Sequence, residues 1–99
     1  MDTTRTTTSR IDDRLPGASL VEQGVADLAR GAETVEALLV SMAAPRLRTL
    51  GQPVPMPIAD AELRLYRILA QRHGDGAHSR YNALVRELVS FQRASSCVK

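Results

Sequence analysis

Between Ser19 and Ala44 the residues Val21, Val25, Leu28, Ala32, Val35, Leu39 and Met42 recur at intervals of four and three. That rhythm predicts a narrow apolar stripe along one side of an α-helix roughly seven turns long. A stripe of this kind must be covered by another helix, from the same chain or from a second copy. Everything else in the chain has to supply that cover.

The stripe has defined ends. Ser19 with Glu22 three residues later reads as an N-cap and capping box, preceded by the chain break Leu15-Pro16-Gly17. Pro45 cannot sit inside a helix without losing a backbone bond, so the helix stops near Ala44. Gly17, Gly24 and Gly31 fall seven apart, and a helical glycine costs ~1 kcal/mol relative to alanine. Two explanations compete: close approach of a neighbouring helix, or a break at Gly31 into two shorter helices. Because the rhythm crosses Gly31 without a change of phase, the expectation is one continuous helix, bent there if anywhere.

Pro45 to Leu50 reads as a short helical turn with Gly51 at C′. Pro53, Pro55 and Pro57 at alternate positions then predict an extended, stiff strap, at about 3.1 Å per residue some 18 Å long. Asp60 caps a third segment that runs to His73, with Gly74 as its stop. Leu63, Leu65, Tyr66, Ile68, Leu69 and Ala70 occupy most of its circumference, so this helix is expected to be the most buried element. Asp75 is the expected N-cap of a last helix ending near Ser95. One face of it carries Ala77, Tyr81, Leu84, Leu88 and Phe91, and the other carries Asn82, Arg86, Ser90 and Arg93. The short connection predicts an antiparallel helical hairpin.

Apolar residues make up 43% of the 99, with only Tyr66, Tyr81 and Phe91 as aromatics. Aliphatic side chains and alanine must then fill one modest core, which suits close-packed helices. The expected architecture is all-α: a small helical bundle with a long first helix, a proline-rich strap and a C-terminal hairpin. Residues 1–15, rich in threonine, are expected to be a disordered tail and 16–99 a single domain. Cys97 is the only cysteine, the first residues carry no apolar signal core, and no apolar run reaches the ~20 residues of a membrane span. A cytoplasmic, non-membrane protein is expected.

Catalytic and metal chemistry find little support. His73, Asp75 and His78 are ligand types, but their spacing matches no metal signature and neither a third protein ligand nor an ordered second shell is identified, so no metal or cofactor is expected. Asp75, His78 and Ser79 are neighbours along one turn and cannot converge as a triad. Gly74-Asp75-Gly76 lacks the strand and lysine of a phosphate loop. No enzyme is expected.

Charge is uneven. Residues 1–45 hold four Arg against seven acids, and residues 46–99 hold eight Arg and one Lys against four. Arg64 and Arg67 share one polar stripe, Arg86 and Arg93 another, with only Asp60 and Glu87 near as intrachain partners. This predicts an acidic partner for the basic half. The functional expectation is a small non-enzymatic protein-interaction module, a homodimer through the 21–42 seam or a binder of another protein. The alternative is a DNA- or RNA-binding regulator, with the last helix and Arg80, Arg86 and Arg93 towards nucleic acid.

Overall fold

A computed structural model describes residues 15–97, so the expected N-terminal tail lies outside the described residues apart from Leu15. All regular structure among the described residues is helical. The elements are α1 (Ala18–Ala29), α2 (Val35–Met42), α3 (Ala44–Thr49), α4 (Ala61–His73) and α5 (Ala77–Cys97), with a 3₁₀ turn at Gly74–Gly76 before α5.

The first helix is not continuous. Gly31 has φ +78 and takes the C′ position after α1. Its N–H donates to Leu28 O at 3.0 Å, and the N–H of Ala32 donates to Asp27 O at 2.8 Å. This pair of bonds is a Schellman motif, which needs a left-handed residue at C′ and therefore favours glycine. Three residues later Thr34 opens α2 in extended conformation, its hydroxyl oxygen accepting the N–H of Ala37 at 3.1 Å. A stop glycine followed by a capping threonine overrides an unbroken apolar rhythm. The consequence is large: the stripe folds back, and α1 packs directly on α2.

Gly24 serves the other purpose. A Cβ there would overlap the Glu36 carbonyl oxygen and come within 2.8 Å of Val40 Cγ1. The two explanations for the glycine column both hold, each at a different glycine.

The capping box expected at Ser19 does not form. Leu15-Pro16-Gly17-Ala18 is a tight turn closed by Ala18 N–H to Leu15 O at 3.1 Å, with Gly17 at φ 77 and ψ 3. Proline second and a left-handed glycine third are the residues of a type II turn. The turn feeds straight into α1, whose first position is Ala18, and Gly17 stands at the N-cap with no side-chain bond. Asp60 does occupy the N-cap of α4, but in a left-handed conformation (φ 53) that leaves its side chain without a capping bond. Asp75 lies inside the 3₁₀ turn, and α5 starts two residues after it. Gly51, by contrast, closes α3 as read: Gly51 N–H bonds Arg48 O and Gln52 N–H bonds Leu47 O, a second Schellman motif.

The core sits around α2. Ala37, Leu38, Leu39 and Val40 are fully covered, and α2 touches α1, α3, α4 and α5. From α5, Ala77, Leu84, Leu88 and Phe91 are buried against this centre, the face read from the sequence. The proline-rich segment contributes Val54 to the core and is tied at two points. Arg48 donates to Val54 O at 2.9 Å, and Ile58 N–H donates to Ser41 Oγ at 2.9 Å, while that hydroxyl donates to Ala37 O. Its extended course is interrupted at Met56, which has φ 45.

The most buried helix is α2, not α4. Only Ala61, Leu65 and Leu69 of α4 are buried. Its neighbours α2 and α5 lie against one side, so Leu63 and Tyr66 are left open despite their apolar character.

Candidate interaction surface

The α1–α2 link is locked by a buried carboxylate. Asp27 is 2% exposed, and its Oδ2 accepts the Thr34 hydroxyl at 2.6 Å. Oδ1 accepts Gln23 Nε2 at 2.9 Å and also the Arg30 guanidinium. Charge-assisted bonds of this kind fix both ends of a loop at once. The Thr34 hydroxyl first, and Arg30 second, hold the Asp27 carboxyl below its ordinary 3.8, against the opposing effect of burial. A carboxyl whose folded pKa is depressed stabilises the protein above its unfolded value, and that contribution fades as pH falls through the folded one. Urea unfolding of wild type and Asp27→Asn should therefore differ most at neutral pH, with wild type the more stable. The difference should shrink once pH drops below 3.8. A difference independent of pH would mean that the network carries no charge contribution.

Six of the seven stripe residues are gathered into one core. Val21 and Leu28 of α1 are buried with Val35 and Leu39 of α2. Val25 and Met42 are half-buried and packed against the same cluster, and Ala32 is half-buried in the link. The first half of the stripe covers the second, an arrangement open to this sequence only because the helix breaks at Gly31.

The four arginines lie on two helices, and Arg64 and Arg67 line one groove together. Arg64 pairs with Glu33 of the α1–α2 link at 2.9 Å, a partner that the sequence reading missed because it lies 31 positions away. Arg67 is exposed about one helical turn on from it, and Arg86 and Arg93 are exposed on α5. Among the described residues these three have no carboxylate within ion-pair distance.

The largest apolar exposures lie on α4 and in the proline-rich segment that precedes it. Leu63 is 55% exposed and Met56 79%. Leu63 forms a ridge shared by two grooves of about 480 Å³ each. One runs over Ser41, Met42 and Ile58 at the end of α2. The other passes Glu33, Arg64, Arg67, Ile68 and Gln71. An apolar ridge with half-buried Met42, Ile58 and Ile68 beside it and guanidinium groups at one edge has the composition of an interface patch. The sequence reading placed Leu63 in the core. Its position opposite Ala61 and Leu65 on the helix was the available signal.

Tyr66 and Tyr81 face each other with ring centroids 5.6 Å apart. The Tyr81 hydroxyl donates to Glu62 at 3.0 Å, and burial together with that carboxylate raises its pKa above 10.0. The Tyr66 hydroxyl lies 3.5 Å from Nδ1 of His78. His73 lies elsewhere, beside Arg72. Among the described residues no three His, Cys, Asp or Glu side chains are grouped to hold a metal. No described helix is long and apolar enough to cross a membrane. Comparison with protein-family models, with curated proteins and with solved structures finds no match to this chain.

Proposed function

We propose that this chain is a small non-enzymatic protein-interaction module that binds a second copy of itself or another protein. The Leu63 ridge carries the reading: a large aliphatic side chain, half in solvent, between two adjoining grooves, on a helix whose other side is anchored in the core. In this reading the proline-rich segment is a strap that fixes α4 against α2, and α4 with α5 is an antiparallel hairpin that presents the ridge. The stripe residues Val21, Leu28, Val35 and Leu39 then build the scaffold, and contact passes to Met42, Leu63, Arg64 and Arg67.

Exposed Arg86 and Arg93, one above the other on α5 at a spacing of seven, support a second reading, contact with nucleic acid. One set of measurements separates the two. A photo-crosslinking residue in place of Leu63 should give a discrete protein adduct in the native cell, whereas the same residue at Asn82 should give none. Leu63→Glu should lose the partner while keeping its melting temperature, since exposed substitutions change stability by about 0.5 kcal/mol or less. A protein that is monomeric by light scattering, gives no adduct at position 63, and binds labelled duplex DNA in an Arg86- and Arg93-dependent, salt-sensitive manner would reverse the order.

A further inference from the structure

A third groove, of about 420 Å³, opens where the start of α2 meets the end of α4 and the start of α5. Its floor is aliphatic, made by Val35, Leu69 and Leu84, and its rim carries Arg72, His73 and Arg80. Glu36 is the single carboxylate of the lining. Among the described residues neither Arg72 nor Arg80 has an ion-pair partner. Their positions on the helices differ in consequence. Arg72 and His73 end α4, where the partial negative charge of the helix terminus favours cations. Arg80 sits in the first turn of α5, which holds no acidic residue, so its own helix end disfavours its charge. A cation placed against its helix, beside two more positively ionisable groups, leaves a local demand for an anion that Glu36 meets only in part.

Resting on the reading of this chain as an interaction module, we propose that this groove binds an acidic segment of a partner protein. A carboxylate is taken by Arg72 and Arg80, and a neighbouring aliphatic side chain lies on Val35, Leu69 and Leu84. A guanidinium fork matches a carboxylate in two-point geometry. The aliphatic floor offers no aromatic ring on which a nucleic-acid base could stack. Glu36 tolerates a single carboxylate better than a doubly charged phosphate monoester, so charge disfavours a phosphopeptide and the aliphatic floor disfavours a stacked base.

The test titrates the full ¹⁵N-labelled chain with an acetylated, amidated peptide of alternating leucine and glutamate. The same peptide with glutamine for glutamate is the control. The expected result is amide shifts confined to residues around Arg72, His73 and Arg80, with weak affinity that falls as salt rises. The glutamine peptide and the Arg72→Gln/Arg80→Gln variant should give no such shifts. Glu36→Gln removes the competing carboxylate and should tighten binding about fivefold, the size of effect one exposed charge pair exerts. That gain cannot come from a variant that has failed to fold. Equal binding of the glutamine peptide, unchanged affinity in Glu36→Gln, or duplex DNA shifting the same amides at lower concentration would each overturn the proposal. The Leu63 crosslink reads the module itself, so a silent groove with a positive crosslink removes only this site, and an active groove without the crosslink removes the ridge.

Discussion

Replacing Gly24 by alanine should lower the melting temperature by about 8–16 °C, taking ~4–8 °C per kcal/mol for a domain of this size. The added methyl would overlap the Glu36 carbonyl oxygen and lie 2.8 Å from Val40 Cγ1. Neither can yield cheaply, because Glu36 O belongs to the backbone of α2 and Val40 is fully buried. The two helices must separate, and overpacking of this kind costs about 1–3 kcal/mol or more. Alanine's better helix propensity returns ~1 kcal/mol, so with an overlap this close a net loss of about 2 kcal/mol is expected. Gly31→Ala is the informative partner. Nothing lies within 4 Å of its Cβ position, and only the positive φ of +78 opposes it. A left-handed alanine costs about 1–2 kcal/mol. Thermal unfolding followed by circular dichroism ranks the two. An alanine at position 24 that stabilises the protein would mean that α1 and α2 do not cross there.

Leu39→Glu should leave the chain unfolded at room temperature. Leu39 is 0% exposed at the centre of α2, and the structure offers a carboxylate there neither water nor a cation. An unpaired buried charge costs more than the roughly 5–15 kcal/mol that holds a domain of this kind together, unless the group stays neutral or the core opens. Leu39→Ala, which only removes packing, should lose ~2–5 kcal/mol and stay folded. The far-UV spectrum and urea midpoint of both variants decide the matter. Leu39→Glu that remains helical and merely changes its oligomeric state would show that the stripe faces a second copy and not the chain's own core. Set beside Leu63→Glu, this variant separates a scaffold residue from a surface one.

The contrast between those two leucines shows where local reading stops. Both lie in apolar helical segments, and the one local difference is that Leu63 stands opposite Ala61 and Leu65 on its helix. Leu39 is covered because α2 is enclosed by its neighbours, and Leu63 is open because α4 has neighbours on one side only. The arginines repeat the point. Arg64 finds Glu33 across 31 positions of sequence, whereas Arg67 and the pair on α5 find no carboxylate among the described residues.

Helical class, the end of α2 ahead of Pro45, the stops at Gly51 and Gly74, and the buried face of α5 were all determined by sequence alone. Each depends on interactions within a turn or two: a proline that cannot donate, a glycine that accepts positive φ, a period that repeats. The break after Ala29 was also written locally, in Gly31 and Thr34, although the apolar rhythm runs across it unchanged, since spacing along a chain does not distinguish helix from link. Only the tertiary structure decided that α1 would turn back onto α2, that Asp27 would close the link, and that Leu63 would be left outside. Those outcomes depend on which elements compete for the same apolar area, and with one small core to build, the eight residues of α2 took the centre.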